Sequence, residues 1–407
     1  MAAWPRSTGL LVGPLPVVNL VVLEVALGLA VLTKNAVWLL AVLLIAVPLA
    51  LGRWRGHWLL RWVQLSAAYL IRSHSLVCSH NRSITSPDSA AAGDPPSPPR
   101  PAVGSDDRRV ALLRLLLPDL SIAHGTDHQR EPLGLAWHQG AWTAVLEVEA
   151  TAAMITPVGG SPSVPFDALV GCLEHRGVVL EAIQVISHCY SGSAALPSSS
   201  PALRSYLEVL GPLPAPARRT TWVAVRLDPR RCPRAVAERG GGVLGSHRAL
   251  IGALSRVCSA LESRGMSTRP LDPDQLVRAG ISAAELSSAA GAGGPVALRE
   301  GWRAVTAAGV GHASYVISGW GTAPNLNALT GVRVLSTTVA LSLSPGDGDA
   351  EVGLRGLVRM SARSPAELEA AQGQLQTMSR RLGVLLSPLH GRHVTGLAAT
   401  LPLGTPA

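Results

Sequence analysis

Apolar residues follow two patterns along this chain. Near the start, Leu15–Thr33 and Ala36–Leu51 are nearly continuous apolar runs separated by Lys34 and Asn35. Only Asn19 and Glu24 interrupt the first run, and the second carries no charge. Runs approaching about 20 apolar residues are the length at which a helix crosses a bilayer. The pair therefore predicts a transmembrane hairpin of two helices within residues 1–56, with Trp54 and Trp58 placed as interfacial anchors. A secretory signal fits less well, because the first run lacks a small-residue cleavage site and a second run follows at once. Residues 57–82 form a basic juxtamembrane segment. Within it Leu59–Leu76 reads as an amphipathic helix along the inner membrane face, or as a stalk continuing the second span. Residues 83–107, with the core Pro95-Pro-Ser-Pro-Pro-Arg-Pro101, cannot bury enough apolar surface to fold and read as a disordered linker.

From Arg108 the pattern becomes that of a folded α+β domain. Alternation in Trp142–Glu149, Leu180–Tyr190 and Thr220–Leu227 predicts strands. Leu244, Leu250, Leu254, Val257 and Leu261 make one face of a helix from Gly242 to about Arg264, with Gly265 as its C-terminal glycine. A short strand Ser267–Pro270 and a helix capped by Asp272 follow. The last third repeats the order. Val332–Leu343 and Glu351–Met360 read as strands joined by the turn-rich Pro345-Gly-Asp-Gly-Asp349. Ser364, Pro365 and Glu367 start a helix that Gly383 closes, and Val384–Leu386 begins a strand. The expectation is a mixed α/β domain of two strand-strand-helix-strand units, residues 108–290 and 291–407, sharing one sheet. Ser191–Pro201 and Ser287–Pro295 are expected to be disordered loops.

Charge sets the topology. The chain's formal net charge is +9, and residues 1–82 hold seven basic residues (Arg6, Lys34, Arg53, Arg55, Arg61, Arg72, Arg82) against the single acid Glu24. Most of these cations follow the second run, so both termini are expected on the cytoplasmic side of an inner membrane, against anionic lipid heads. The remaining residues are nearly balanced, which argues against a nucleic-acid surface. Every cation but Lys34 is arginine, a bias of GC-rich codons. The cysteines Cys78, Cys172, Cys189, Cys232 and Cys258 have no CxxC spacing and read as free thiols.

Candidate chemistry is sparse. Arg239-Gly-Gly-Gly242 stands before the long helix, where backbone amides and a guanidinium can hold an anion, but it is neither a Walker A nor a dinucleotide motif. A structural turn explains it better. Asp347-Gly-Asp349 resembles the metal pair of many glycosyltransferases, yet turn chemistry alone accounts for it. His124/His128 and His390/His393 have the spacing of one helix face but lack the acid of an HExxH site. No catalytic, cofactor-binding or metal-ligating residue is assigned. A membrane-anchored glycosyltransferase-like enzyme, using Arg239–Gly242 and Asp347/Asp349, is the alternative reading, beside a cell-envelope adaptor. Glu24, a carboxylate within a span, is expected to meet a partner helix or to snorkel to the interface.

The hairpin, the strand Arg219-Thr-Thr-Trp222-Val-Ala-Val-Arg-Leu-Asp228, Arg239-Gly-Gly-Gly242, the helix to Gly265 and Thr268-Arg-Pro-Leu-Asp272 together resemble the EccE family. That family is the E component of the actinobacterial type VII (ESX) secretion membrane complex. Gly140-Ala-Trp142-Thr-Ala-Val-Leu-Glu-Val148 and His312-Ala-Ser-Tyr-Val-Ile-Ser-Gly-Trp320 fit the same pattern. The chain departs from it at Gly321, where the family pattern has proline. The resemblance implies a non-catalytic structural subunit without cofactors, placed beside the B, C and D components, of which C is an FtsK-like ATPase.

Overall fold

A computed structural model describes residues 51–54, 57–78, 107–149, 164–190, 218–292, 294–321, 326–346 and 352–404, with scattered positions before residue 51 and Ser205. Most of the expected hairpin, the linker from residue 83, Ser191–Pro201 and Asp347–Asp349 lie outside the described residues. Among the described residues no helix is long and apolar enough to cross a membrane. The described positions between Asn19 and Gly28 and between Leu44 and Leu51 are helical, whereas Leu15–Pro16 pairs as a short strand with Leu11–Val12. The expected first span thus begins in extended backbone. Pro16 explains this locally, since it has no amide to donate and disfavours helix at the residue before it.

Two compact units are present, residues 1–73 and 74–407. In the first, α1 (Leu59–Ile71) is a helix whose Val63 and Leu70, seven residues apart, share one exposed face. It stops short of the expected Leu76. Ser75–Cys78 is instead β1, an edge strand of the second unit's sheet, so the expected juxtamembrane segment 57–82 divides near Ser73.

Among the described residues the second unit is built on one antiparallel sheet of 13 strands. After β1 come α2 (Arg108–Arg114), β2 (Ser121–Thr126), β3 (Pro132–His138), β4 (Ala141–Val148), α3 (Phe166–Val170), β5 (Ala182–Tyr190) and β6 (Arg218–Leu227). They are followed by α4 (Pro233–Glu238), α5 (Gly242–Glu262), β7 (Thr268–Pro270), α6 (Pro273–Ala283) and α7 (Ser287–Gly291). The last third holds β8 (Val296–Glu300), β9 (Val305–Ala307), β10 (Val310–Gly319), β11 (Ser336–Pro345), β12 (Val352–Ala362), α8 (Pro365–Arg381), β13 (Leu385–Pro388) and α9 (His393–Ala399). The strand order is β1-β8-β9-β10-β12-β11-β5-β6-β4-β3-β2, with β7 on β4 and β13 on β10.

Apart from the edge strand β1, that order is a palindrome. The meander β2-β3-β4, the hairpin β5-β6, helix α5, strand β7 and helix α6 recur as β8-β9-β10, β11-β12, α8, β13 and α9. Gln139-Gly140 and Ala308-Gly309 both take positive φ at the matching two-residue hairpin turns, the geometry of a type I′ turn. Gly265 and Gly383, also at positive φ, end the two long helices. Leu271 N donates to Val145 O, and Leu389 N donates to Ser314 O at the corresponding place. The halves meet where β5 pairs with β11, and the Ile186–Ala340 pair lies at the pseudo-twofold centre.

Both long helices cover the same face. Leu250, Leu254, Val257 and Leu261 of α5 pack on Ile183, Val185, Val223 and Leu146, while Leu368, Ala371 and Leu375 of α8 pack on Val339, Leu341, Val358 and Met360. Burying each such side chain contributes roughly 1.5–3 kcal/mol. Leu244, expected on the α5 stripe, is exposed instead. It sits in the first turn, beside Gly245, whose Cα packs on α4. A Cβ added to Gly245 would lie 2.2 Å from the carbonyl oxygen of Val236. Gly245→Ala is therefore expected to destabilise the domain by about 1–3 kcal/mol, read as a shift in urea unfolding.

Ser287–Pro295 is not wholly a loop, because Ser287–Gly291 is the helix α7. Ala289 is buried there and its carbonyl accepts from Arg108 Nε at 3.0 Å. The five cysteines are free.

Candidate functional site

The second face of the sheet is polar at its centre and nevertheless buried. Antiparallel register places Ser336 opposite Tyr190, Thr338 opposite His188 and Arg359, and Ser361 opposite His312, all pointing to one side. Helix α6 and the chain around α9 cover them. Arg359, His312, Thr338, Ser336 and Ser361 are each fully buried. Arg359 donates to Ala283 O at the end of α6 and to Thr338 Oγ1 at 2.9 Å, and Ser361 Oγ lies 2.9 Å from His312 Nδ1.

Glu285 closes the cluster. It follows α6 in a left-handed conformation (φ 58°), the position where a helix usually ends in glycine. Its carboxylate accepts from Tyr190 Oη at 2.7 Å and from Ser336 Oγ. Burial raises the Glu285 pKa, while the Ser336 and Tyr190 hydrogen bonds and the Arg359 charge oppose that shift. Burial also lowers Arg359 to about 10. His188 Nε2 lies 3.6 Å from Glu285 Oε1, but burial, assisted by the Arg359 charge, lowers its pKa to about 3. The imidazole is therefore neutral, and this contact is not an ion pair. Ser361 and His312 resemble a nucleophile and its base, but a substrate has no route to fully buried atoms. The arrangement can hold the two halves in register; it cannot present a nucleophile.

Beside this layer a cleft of about 550 Å³ opens between α6 and the outer rows of β4, β5, β6 and β7. Tyr190, His188 and Trp222 form its inner part, and Arg218, Arg269 and Arg278 its rim. Arg269 pairs with Glu147 at 2.9 Å and Arg278 with Asp274 at 2.8 Å. Arg218 has neither an ion pair nor a hydrogen bond from its side chain among the described residues.

Among the described residues the motifs singled out in the sequence do not assemble into a site, and Asp347-Gly-Asp349 lies outside them. In Arg239–Gly242 the amides of Gly240 and Gly241 donate to Ala237 and Val236 carbonyls of α4, and Arg239 itself donates to Ala235 O at 2.7 Å. The three glycines take positive φ, so the loop is a tight reversal between α4 and α5 with the Gly240 and Gly241 amides engaged internally. His124 lies in β2 and His128 in the following turn, so the helical face expected of them does not exist. A period of two puts i and i+4 on one strand face, but that strand ends at Thr126. His390 stacks on Trp302 with ring centroids 5.5 Å apart, and His393 Nδ1 accepts from Ser314 N at 3.1 Å within the core. No group of three or more metal-ligating side chains occurs among the described residues. Gly321, at the departure from the family pattern, approaches the backbone of Leu382–Gly383 so closely that an added Cβ would lie 2.4 Å from Leu382 O.

Sequence reasoning missed Glu285, Arg359, His188 and the cleft. For Arg359 and His188 the only signal is polar residues at alternate strand positions, which normally face solvent, and Glu285 follows a helix instead.

The family model described as "Putative type VII ESX secretion system translocon, EccE" matches residues 215–317, from just before β6 into β10, including the cleft arginines and Glu285. The ESX-1 secretion system protein EccE1 of Mycolicibacterium smegmatis is 40% identical over 90 residues, 22% of this chain and 19% of that protein. The ESX-5 secretion system protein EccE5 of Mycobacterium marinum is 26% identical over 356 residues, 84% of this chain and 79% of that protein. EccE5 of Mycobacterium tuberculosis is 24% identical over 393 residues. The match thus spans about a fifth of the ESX-1 relative's length and about four fifths of the M. marinum ESX-5 relative's. The strand, glycine loop, helix and capping motif of residues 219–272 all lie inside the matched stretch, so this part of the chain is similar to the EccE family.

Proposed function

We propose that the chain is a structural subunit of an ESX type VII secretion complex in the inner membrane. A two-helix hairpin anchors it, and its sheet domain packs against the B, C and D membrane components, including the FtsK-like ATPase. The observation carrying this reading is the likeness to the EccE proteins over most of the chain. The chemistry agrees: the polar layer is closed to substrate, and the Gly240 and Gly241 amides and the Arg239 guanidinium are engaged within the fold. The glycosyltransferase-like alternative has no assembled site among the described residues, with Asp347 and Asp349 outside them. Val21, Val25, Leu44 and Val47, helical and exposed, suit a lipid or partner-helix surface, and Glu24 is exposed on the same stretch.

Leu44→Lys tests the anchor. A lysine near the centre of a span costs about 2.5–3.5 kcal/mol on insertion. Leu44 is 70% exposed, so the change disturbs no packed interior. The variant is expected to leave the membrane fraction and to reduce export of the system's substrates. A variant that stays in the membrane fraction and exports at the wild-type level contradicts the hairpin's role.

A further inference from the structure

We propose that the cleft between α6 and strands β4–β7 is a binding site for a phosphate-bearing anion. Three guanidiniums from three separate elements, Arg218 of β6, Arg269 of β7 and Arg278 of α6, converge on one opening, and Glu147 is the only carboxylate among the described lining residues. Arg269 is tied to Glu147, and Arg278 to Asp274 just outside. Arg218 is left uncompensated among the described residues. Guanidinium groups bind phosphate oxygens through paired, charge-assisted hydrogen bonds, and several on one concave surface favour a multiply charged anion over chloride. The Thr220 hydroxyl and the Gln275 amide, both in the lining, add neutral donors. Below them His188, 1% exposed, keeps Nε2 without a hydrogen-bond partner.

The internal repeat supplies an independent comparison. The second half copies the fold of the cleft without its charge pattern. Pairing places Gly353 where the first half has Arg218, Ser387 where it has Arg269, Val316 where it has Glu147, and Leu357 where it has Trp222. Arg355, at the counterpart of Thr220, is the one cation at these counterpart positions. The fold therefore does not require arginines at these positions. Their convergence in one half alone is what a ligand explains.

The phosphate can belong to a soluble compound or to a lipid head group, and two probes separate these sources. Purified full-length chain in neutral detergent is titrated with inorganic pyrophosphate, and separately reconstituted chain is compared in vesicles of phosphatidic acid and of phosphatidylcholine. Unfolding temperature is read in both arms. Binding predicts a saturable rise with pyrophosphate, or a rise specific to phosphatidic acid. In whichever arm responds, Arg218→Gln and Arg278→Gln each weaken the apparent affinity by about tenfold or more. These side chains are exposed, so the variants keep the fold. Arg234→Gln, on the exposed side of α4, is expected to leave the response unchanged. No rise in either arm overturns the proposal, as does a rise that survives Arg218→Gln and Arg278→Gln or is lost equally with Arg234→Gln.

Discussion

Arg359→Met is expected to destabilise the sheet domain by about 3–5 kcal/mol, the cost of breaking a buried charge arrangement by removing one partner. Arg359 is fully buried, donates to Ala283 O and Thr338 Oγ1, and is the cation that offsets the buried carboxylate of Glu285. Methionine fills comparable volume, so the loss reports on charge and hydrogen bonds rather than on a cavity. Removing both charges together removes the imbalance. Arg359→Met/Glu285→Gln is therefore expected to be more stable than the sum of the two single changes implies, by at least about 1 kcal/mol. Urea unfolding followed by tryptophan fluorescence measures all three variants. A single change within about 0.5 kcal/mol of wild type, or strict additivity, contradicts the account of this layer.

Acidification is expected to have an effect of similar size. Burial lowers His138 to about 4, His188 to about 3 and His393 to about 4, and holds His312 well below the ordinary value. In the unfolded chain these rings titrate near 6.5. Between pH 6.5 and about 4 the unfolded state binds protons that the folded state refuses, so stability falls as pH falls through that window. Each fully buried ring contributes up to about 1.4 kcal/mol per pH unit there, which makes several kcal/mol between pH 7 and pH 5 for the set. Glu285 acts in the opposite direction, since its raised pKa lets the folded state take up a proton first. One such group reduces the slope without reversing it. Urea midpoints across this range test the sign, and a midpoint that is flat or rises toward pH 5 contradicts it.

Local features were legible in the sequence because they depend on neighbours along the chain. Asp272 and Gln275 form the reciprocal cap that starts α6, and Ser364 Oγ accepts from Glu367 N as expected. In that second cap the Glu367 carboxylate accepts from Arg363 N, one residue before the usual partner. Gly265 and Gly383 end their helices at positive φ. The repeated strand-strand-helix-strand order was visible too, but its extension to the flanking meanders and helices α6 and α9 emerged only from strand register.

Features set by distant contacts were not legible. Nothing in Ser336-Thr-Thr-Val-Ala distinguishes a solvated strand face from one roofed by α6, because the roof lies some fifty residues away. Ser287–Gly291 is rich in serine, alanine and glycine and reads as loop, yet Arg108 fixes it from 181 residues away. Glu285 occupies a position where local preference favours glycine. The reason is a carboxylate contact with Tyr190, 95 residues earlier.

The central claim is that this chain works as an integral part of a secretion complex. It is tested most directly by isolating the tagged full-length chain from its native membranes in mild detergent and identifying co-purifying proteins by mass spectrometry. The account predicts recovery, in fixed ratio, of several membrane subunits including an FtsK-like ATPase. Recovery of the chain alone, or with cell-envelope synthesis enzymes in place of those subunits, would contradict it.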